Sequence, residues 1–300
     1  MTSACRVLVI GRNGQLATEL RRARWPDGWS MTSAGNPELD LAAPDRAADF
    51  VSGVSPDLVI NAAGYTDVER AENEPERARL INARGPAAVA RACHRIGAPF
   101  VMVSTDYVFN GSKATPYAED DSVGPLSAYG RSKAEGEALV RAAAPRHLIL
   151  RTSWLFSPFG GNFVKTMRRL GRERPTLRVV ADQQGCPTSA ADLAQAVVSA
   201  CAKLRADNGP YGTFHVANGG SVSWHGFAAA IFEGLAARGE PVPSDVVAIT
   251  AAEYPARAKR PANSVLDCSR FERAFGVTMR PWQAALADCL DELAAAVPNA

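Results

Sequence analysis

Short apolar runs recur along the chain and alternate with longer amphipathic stretches. The runs at 6–10, 57–61, 100–104, 148–152, 177–181 and 213–217 are mostly aliphatic, with little polar alternation, as expected of parallel strands buried on both faces. Helix-like patterning covers 14–24, 44–53, 86–96, 129–143, 163–171, 190–204, 223–237 and 282–296. Strands separated by helices predict an α/β protein with a doubly wound parallel sheet. After residue 150 the alternation loosens, and Pro241-Val242-Pro243 and Arg260-Pro261 read as loop punctuation. The expected division is a nucleotide-binding domain over 1–150, rejoined by parts of 177–240, and a smaller C-terminal α/β substrate domain drawn mainly from 151–300.

Composition narrows the class. The 300 residues exceed one average domain, and 47% of them are hydrophobic, ample for a core. A net charge of +2 marks neither a nucleic-acid binder nor a membrane-surface binder. No apolar run approaches the ~20 residues needed to span a bilayer, and no signal peptide precedes the first strand. The six cysteines show no metal or Cys-x-x-Cys spacing, so reduced thiols in a cytoplasmic protein are expected.

The first strand, Arg6-Val7-Leu8-Val9-Ile10, runs into Gly11-Arg12-Asn13-Gly14-Gln15-Leu16-Ala17 and then a helix-like run. Strand, glycine turn and helix form the context of a Rossmann-type dinucleotide-binding loop. Gly11 permits the tight turn and Gly14 a close backbone approach to pyrophosphate, while the helix start offers N–H groups. The spacing Gly-x-x-Gly-x-x-Ala departs from the usual Gly-x-Gly-x-x-Gly. NAD-selective enzymes place a carboxylate roughly 20 residues past the loop, on the ribose 2′-hydroxyl. Here Met31–Asn36 carries none, and Arg12 is either a partner for a 2′-phosphate or a solvated loop charge. NADPH is therefore the expected cofactor, with NADH possible.

Tyr129 and Lys133 stand four residues apart at the start of an amphipathic helix, hence on one face. A cation within about 4–6 Å would lower the pKa of the phenol from its ordinary ~10 and make a general acid for carbonyl reduction. Tyr-x-x-x-Lys recurs by chance, so its weight comes from its company. One strand ends in Asn61-Ala62-Ala63-Gly64-Tyr65-Thr66, small residues suited to passing beside a cofactor, and the next in Ser104-Thr105-Asp106-Tyr107-Val108-Phe109. Strand ends are where a doubly wound sheet builds its site. Thr105 would bond a substrate carbonyl and complete a Thr–Tyr–Lys catalytic set. Singly, each such residue also serves as a cap or turn.

These segments, with Leu39-Asp40-Leu41, Asp67-Val68-Glu69, Asp182–Thr188 and Arg260-Pro261-Ala262-Asn263-Ser264, resemble the extended short-chain dehydrogenase/reductase family over nearly the whole chain. The Ser-Thr-Asp-Tyr-Val-Phe and Arg-Pro-x-Asn-Ser segments resemble its dTDP-4-dehydrorhamnose-reducing branch in particular. The resemblance implies hydride transfer from a nicotinamide to the C4 ketone of dTDP-4-dehydro-L-rhamnose, a dTDP-sugar substrate. It also implies that Tyr129 protonates the developing alkoxide, that Lys133 tunes Tyr129 and holds the ribose hydroxyls, and that Thr105 orients the carbonyl. Asp40 and Leu41 would flank the adenine. Sugar-nucleotide dehydratases of the family carry Thr-Asp-Glu at this strand end; Tyr107 replaces that glutamate, so elimination is not expected. Another nucleotide-sugar 4-ketoreductase, a 4-epimerase and a non-catalytic cofactor-binding regulatory subunit stay open.

On the substrate side the expected residues are Thr66, Thr105, Asp106, Tyr107, Trp154, Arg257 and Arg260. Trp154 would stack on a sugar or fill core, and Arg257 and Arg260 would clamp a diphosphate. Some relatives hold Mg2+ at a subunit interface, but the region around Ala190 and Asp192 is poor in carboxylates and no metal residue is assigned. Monomer and homodimer both stay open.

Overall fold

The computed structural model describes residues 4–207 and 209–295. Its central sheet is parallel and built of β1 (Cys5–Ile10), β2 (Trp29–Ala34), β3 (Leu58–Asn61), β4 (Phe100–Thr105), β5 (His147–Thr152) and β6 (Gly212–His215). The spatial order is β6-β5-β4-β3-β1-β2. The crossover helices used below are α1 (Gln15–Arg22), α2 (Pro44–Val54), α3 (Gly85–Ile96), α4 (Ala128–Ala143) and α5 (Ala190–Asp207). Because the order reverses between β1 and β3, the chain leaves these neighbouring strands in opposite directions. That opens a crevice at their carboxyl ends.

The expected strands are present with two differences. β2 carries no apolar run: its residues alternate between half-buried and exposed up to Ala34, as an edge strand does. Residues Thr176–Val180 do form a strand, but it lies outside the central sheet and pairs in parallel with Asp245–Ile249. Thr176 and Arg178 are exposed and Leu177 and Val179 buried, while most of Asp245–Ile249 is exposed.

Three larger apolar cores and two small clusters result among the described residues. One face of the sheet packs Val7, Val9, Leu16 and Leu20 against Leu193, Val197 and Leu204 of α5, with Phe271 and Phe275 from a late helix. The other face packs Leu8, Ile10, Phe100 and Met102 against Val51 of α2 and Val89 of α3. A separate cluster joins Phe156, Met167, Leu177, Phe227, Ile231 and Trp282. Residues beyond 150 thus divide between the sheet's own core and a second one.

Candidate active site

Gly11 leaves β1 at φ +128°, a region that favours glycine, and α1 begins at Gln15 with no side chain capping it. Gly11, Arg12, Asn13, Asp40, Leu41, Ala63 and Gly64 come together around a cavity of about 290 Å3 at the β1/β3 switch point. Apart from its chain neighbours, no protein atom lies within 4 Å of where a Cβ on Gly14 would stand, so the space there is open. Uncapped amide donors facing open space fit a dinucleotide pyrophosphate. Three expected cofactor residues have side chains or backbone otherwise engaged. Leu16 is buried in the core, Gln15 accepts from Asn162 Nδ2 at 3.1 Å, and the Ala62 amide donates to the Ile10 carbonyl at 2.9 Å. Arg12 is ion-paired with Glu38, Nη2 to Oε2 at 2.9 Å.

The catalytic edge lies where β4 meets α4. Ser127 caps this helix by accepting from the Gly130 amide at 3.1 Å, which fixes Tyr129 in its first turn. Gly130 is required here, since a Cβ would stand 2.3 Å from the Tyr107 carbonyl oxygen. Thr105, at the end of β4, donates its hydroxyl proton to Asp106 Oδ1 at 3.0 Å and accepts from the Tyr107 amide at 3.2 Å. The Thr105 hydroxyl thus lies between Asp106 and the neighbouring Tyr129 hydroxyl. Asp106 also takes the Ser153 hydroxyl at 3.1 Å. Burial raises its carboxyl to about 6, with Ser264, Thr105 and Ser153 restraining the rise.

Among the described residues Tyr129 and Lys133, which share a face of α4 by their i, i+4 spacing, do not hydrogen-bond each other. Lys133 Nζ donates to the Val103 carbonyl at 2.6 Å instead. Burial pushes the Tyr129 hydroxyl up to about 12, against the pull of the neighbouring Thr105 hydroxyl. Burial likewise pushes the Lys133 ammonium down to about 8, while Glu137 favours its charged form. One turn on, Glu137 accepts from Ser104 Oγ at 2.6 Å and from Arg151 Nε and Nη2 at 2.9 and 2.7 Å. Burial alone would raise the Glu137 carboxyl, but Arg151 and Ser104 outweigh it and hold it below the usual carboxylate range.

One further side chain that completes this edge carries no motif. Asn82, in a π-helical turn (Leu80–Arg84), accepts from the Tyr65 amide at 2.8 Å and donates to Ser132 Oγ at 2.9 Å. It pins the loop after β3 to α4. Such π turns gather at functional sites, but no residue pattern announces one. Glu69 accepts from the Arg257 amide at 3.0 Å and pairs with Arg260 Nη2 at 2.7 Å. Arg260 also lies beside Tyr107, whose ring meets Tyr129 edge-on at 6.1 Å. Arg257 is exposed and donates to Asn73 Oδ1 at 2.8 Å. Thr66 is exposed beside Gly64. Trp154 stacks on Trp224 at 3.4 Å and 7°, which occupies one face of the indole. Its φ of +46° is unusual for a bulky residue, and its buried Nε1 has no protein partner. Among the described residues no cluster of three or more His, Cys, Asp or Glu side chains could hold a metal, and no helix is long and apolar enough to cross a membrane.

A switch-point crevice beside a strand-end threonine and a helix-borne Tyr-x-x-x-Lys pair defines an extended short-chain dehydrogenase/reductase. Residues 5–295 match the family model described as RmlD substrate binding domain, and the chain belongs to that family. A dTDP-4-dehydrorhamnose reductase of Sinorhizobium fredii is 43% identical over 283 residues, 93% of this chain and 94% of its own. Two solved dTDP-4-dehydrorhamnose reductases are similar throughout. The Clostridium acetobutylicum structure has a TM-score of 0.89 and 38% identity, covering 96% of this chain and 99% of its own. The Bacillus anthracis structure, in complex with NADP, has a TM-score of 0.88 and 36% identity, with the same coverage.

Proposed function

We propose that this chain reduces the C4 ketone of dTDP-4-dehydro-L-rhamnose to dTDP-L-rhamnose with NADPH, NADH serving as a second donor. The carrying observation is full-length likeness to reductases of that name, joined to a Thr105–Tyr129–Lys133 edge beside a crevice that fits a dinucleotide. The bound nicotinamide supplies the hydride. Tyr129, held neutral by burial, keeps its proton at physiological pH and gives it to the carbonyl oxygen as negative charge develops there. Thr105, whose hydroxyl lies beside both Asp106 and Tyr129, would orient the carbonyl oxygen for that transfer. Lys133, still mostly protonated at neutral pH, exchanges the Val103 carbonyl for the ribose hydroxyls.

Residues from about 150 onward would hold the sugar nucleotide, whose remote binding energy positions the ketone. Arg260 is the favoured diphosphate ligand, being beside Tyr107, with Arg257 at the rim. Trp154 would contribute its unpartnered indole N–H instead of a free stacking face. The test supplies purified chain with dTDP-4-dehydro-L-rhamnose and NADPH or NADH and identifies the product by NMR. Nucleotide oxidation with dTDP-L-rhamnose formed is expected. A C4 epimer as product, or cofactor binding without turnover, would replace this reading with a different reductase or a regulatory subunit.

A further inference from the structure

Glu137 takes no direct part in the chemistry above, yet it is a wholly buried anion one turn away from it. It follows Lys133 on α4 by four residues, so the two side chains share a helical face. Its carboxylate accepts from Ser104 near the end of β4 and from Arg151 on β5. Lys133 rests on the carbonyl of Val103, the residue before Ser104. One acidic side chain thus fastens the strand segment that receives the ammonium.

Charged and titratable groups bear on this cluster from each packed element. Arg141 of α4 pairs with Glu137 at 3.3 Å, and Arg151 pairs with it at 2.7 Å. His215 on β6 lies against Arg151, and burial with that guanidinium keeps it neutral. Glu119 is turned to the His215 amide and to Arg270. Asp106 is engaged by Thr105 and Ser153, while Tyr129 keeps its proton. Glu137 is therefore the anion that faces two guanidiniums and an ammonium. A guanidinium does not release its proton in a protein, whereas a buried lysine does. Without Glu137 the excess positive charge would be relieved at Lys133.

We propose that Glu137 is a positioning residue for the reduction, acting through Lys133: its carboxylate keeps that amine protonated and so able to hold the ribose hydroxyls. The role rests on the reductase reading of the site. Tyr129, Lys133 and Glu137 then form one unit at successive intervals of four, in which the third residue sets the charge of the second.

The chain has five lysines, few enough to follow Lys133 by NMR of lysine isotope-labelled at Cε, with Lys133→Arg for assignment. Titration of the full chain without nucleotide reads that proton directly. The pH profile of kcat/KM for the ketone with NADPH reads the same group in turnover. In the parent the proton should leave near pH 8. In Glu137→Gln Lys133 should hold it about tenfold less tightly, and the alkaline fall of kcat/KM should move down with it. Glu137→Asp should restore much of both. Ser104→Ala cuts one bond of Glu137 but keeps its charge, and should move neither. If Glu137→Gln does not fold, the double variant Glu137→Gln, Arg151→Met removes both buried partners and should still shift Lys133 in the same direction. A folded variant whose Lys133 titrates as in the parent would overturn the proposal, as would an equal shift in Ser104→Ala. If Lys133 shifts but the parent does not reduce the ketone, the charge pairing stands and the reductase reading fails.

Discussion

The catalytic edge and the crevice rim treat charge in opposite ways. Beneath Tyr129, Glu137 and Arg151 are almost wholly buried and each has several partners, while Asp106 takes two hydroxyl protons out of reach of water. At the rim Arg12 and Glu38 face each other in solvent. Buried, satisfied networks fix one geometry and penalise the loss of any member. Exposed pairs exchange partners at little expense to the fold. Reaction geometry thus sits on the rigid arrangement and ligand choice on the adjustable one.

The most damaging change should be Tyr129→Phe, which removes the proton and little of the shape. We expect kcat to fall about 10²–10⁴-fold with NADPH affinity unchanged. Turnover within a few-fold of the parent would assign the proton to another group.

Glu137→Ala should leave the Arg151 guanidinium buried without its partner and cost about 3–5 kcal/mol in a denaturant titration. Glu38→Ala should stay within about 0.5 kcal/mol of the parent. Equal losses in the two variants would erase the contrast between edge and rim.

Asp106 sharpens the contrast through pH. Its folded carboxyl is raised to about 6 from an ordinary 3.8, so the folded chain binds that proton more tightly than the unfolded one. The stability it contributes is whole below pH 3.8 and is lost as pH rises through about 6. Asp106→Asn cannot titrate. Between those limits its stability should fall less with pH than the parent's, by roughly 2–3 kcal/mol, since each tenfold gain in proton affinity is worth about 1.4 kcal/mol. Parallel parent and variant curves would mean that the carboxyl is not raised.

The smallest effect expected is at the rim. Arg12→Ala should raise KM for NADPH roughly tenfold, by loss of one charge-assisted phosphate contact, and change KM for NADH little. Equal changes for both would return Arg12 to the role of a solvated loop charge.

How much of this was legible in the sequence followed from burial. β1, β3, β4 and β5 are buried on nearly every residue and so read as continuous apolar runs. β2 is half-exposed and gave no run to find, while the apolar run within Asp245–Ile249, at 246–249, is short and mostly exposed. Glycine turn, strand-end threonine and Tyr-x-x-x-Lys are local patterns, and the structure brings them to one end of the sheet. Glu69, Asn82, Ser153 and Ser264 act across chain separations as long as the 188 residues between Glu69 and Arg257. Nothing in their neighbours' identities marks such contacts. The lysine's turn toward Val103 was equally hidden, because i, i+4 spacing sets which face a side chain shares but not which acceptor it chooses.

The core shared by β1 and the late helix bearing Phe271 and Phe275 has a consequence for biogenesis. During synthesis the face of β1 that carries Val7 and Val9 is made long before α5 and the late helix that complete its cover. At ordinary elongation rates of about 5–20 residues per second, that face waits roughly 15–55 s for Phe275 to be added. Through that interval the nascent chain holds aliphatic strands that its own sequence cannot yet shield. A ribosome-bound fragment ending before residue 190 should therefore be protease-sensitive and chaperone-associated, and protection should appear only once the final helices have left the exit tunnel.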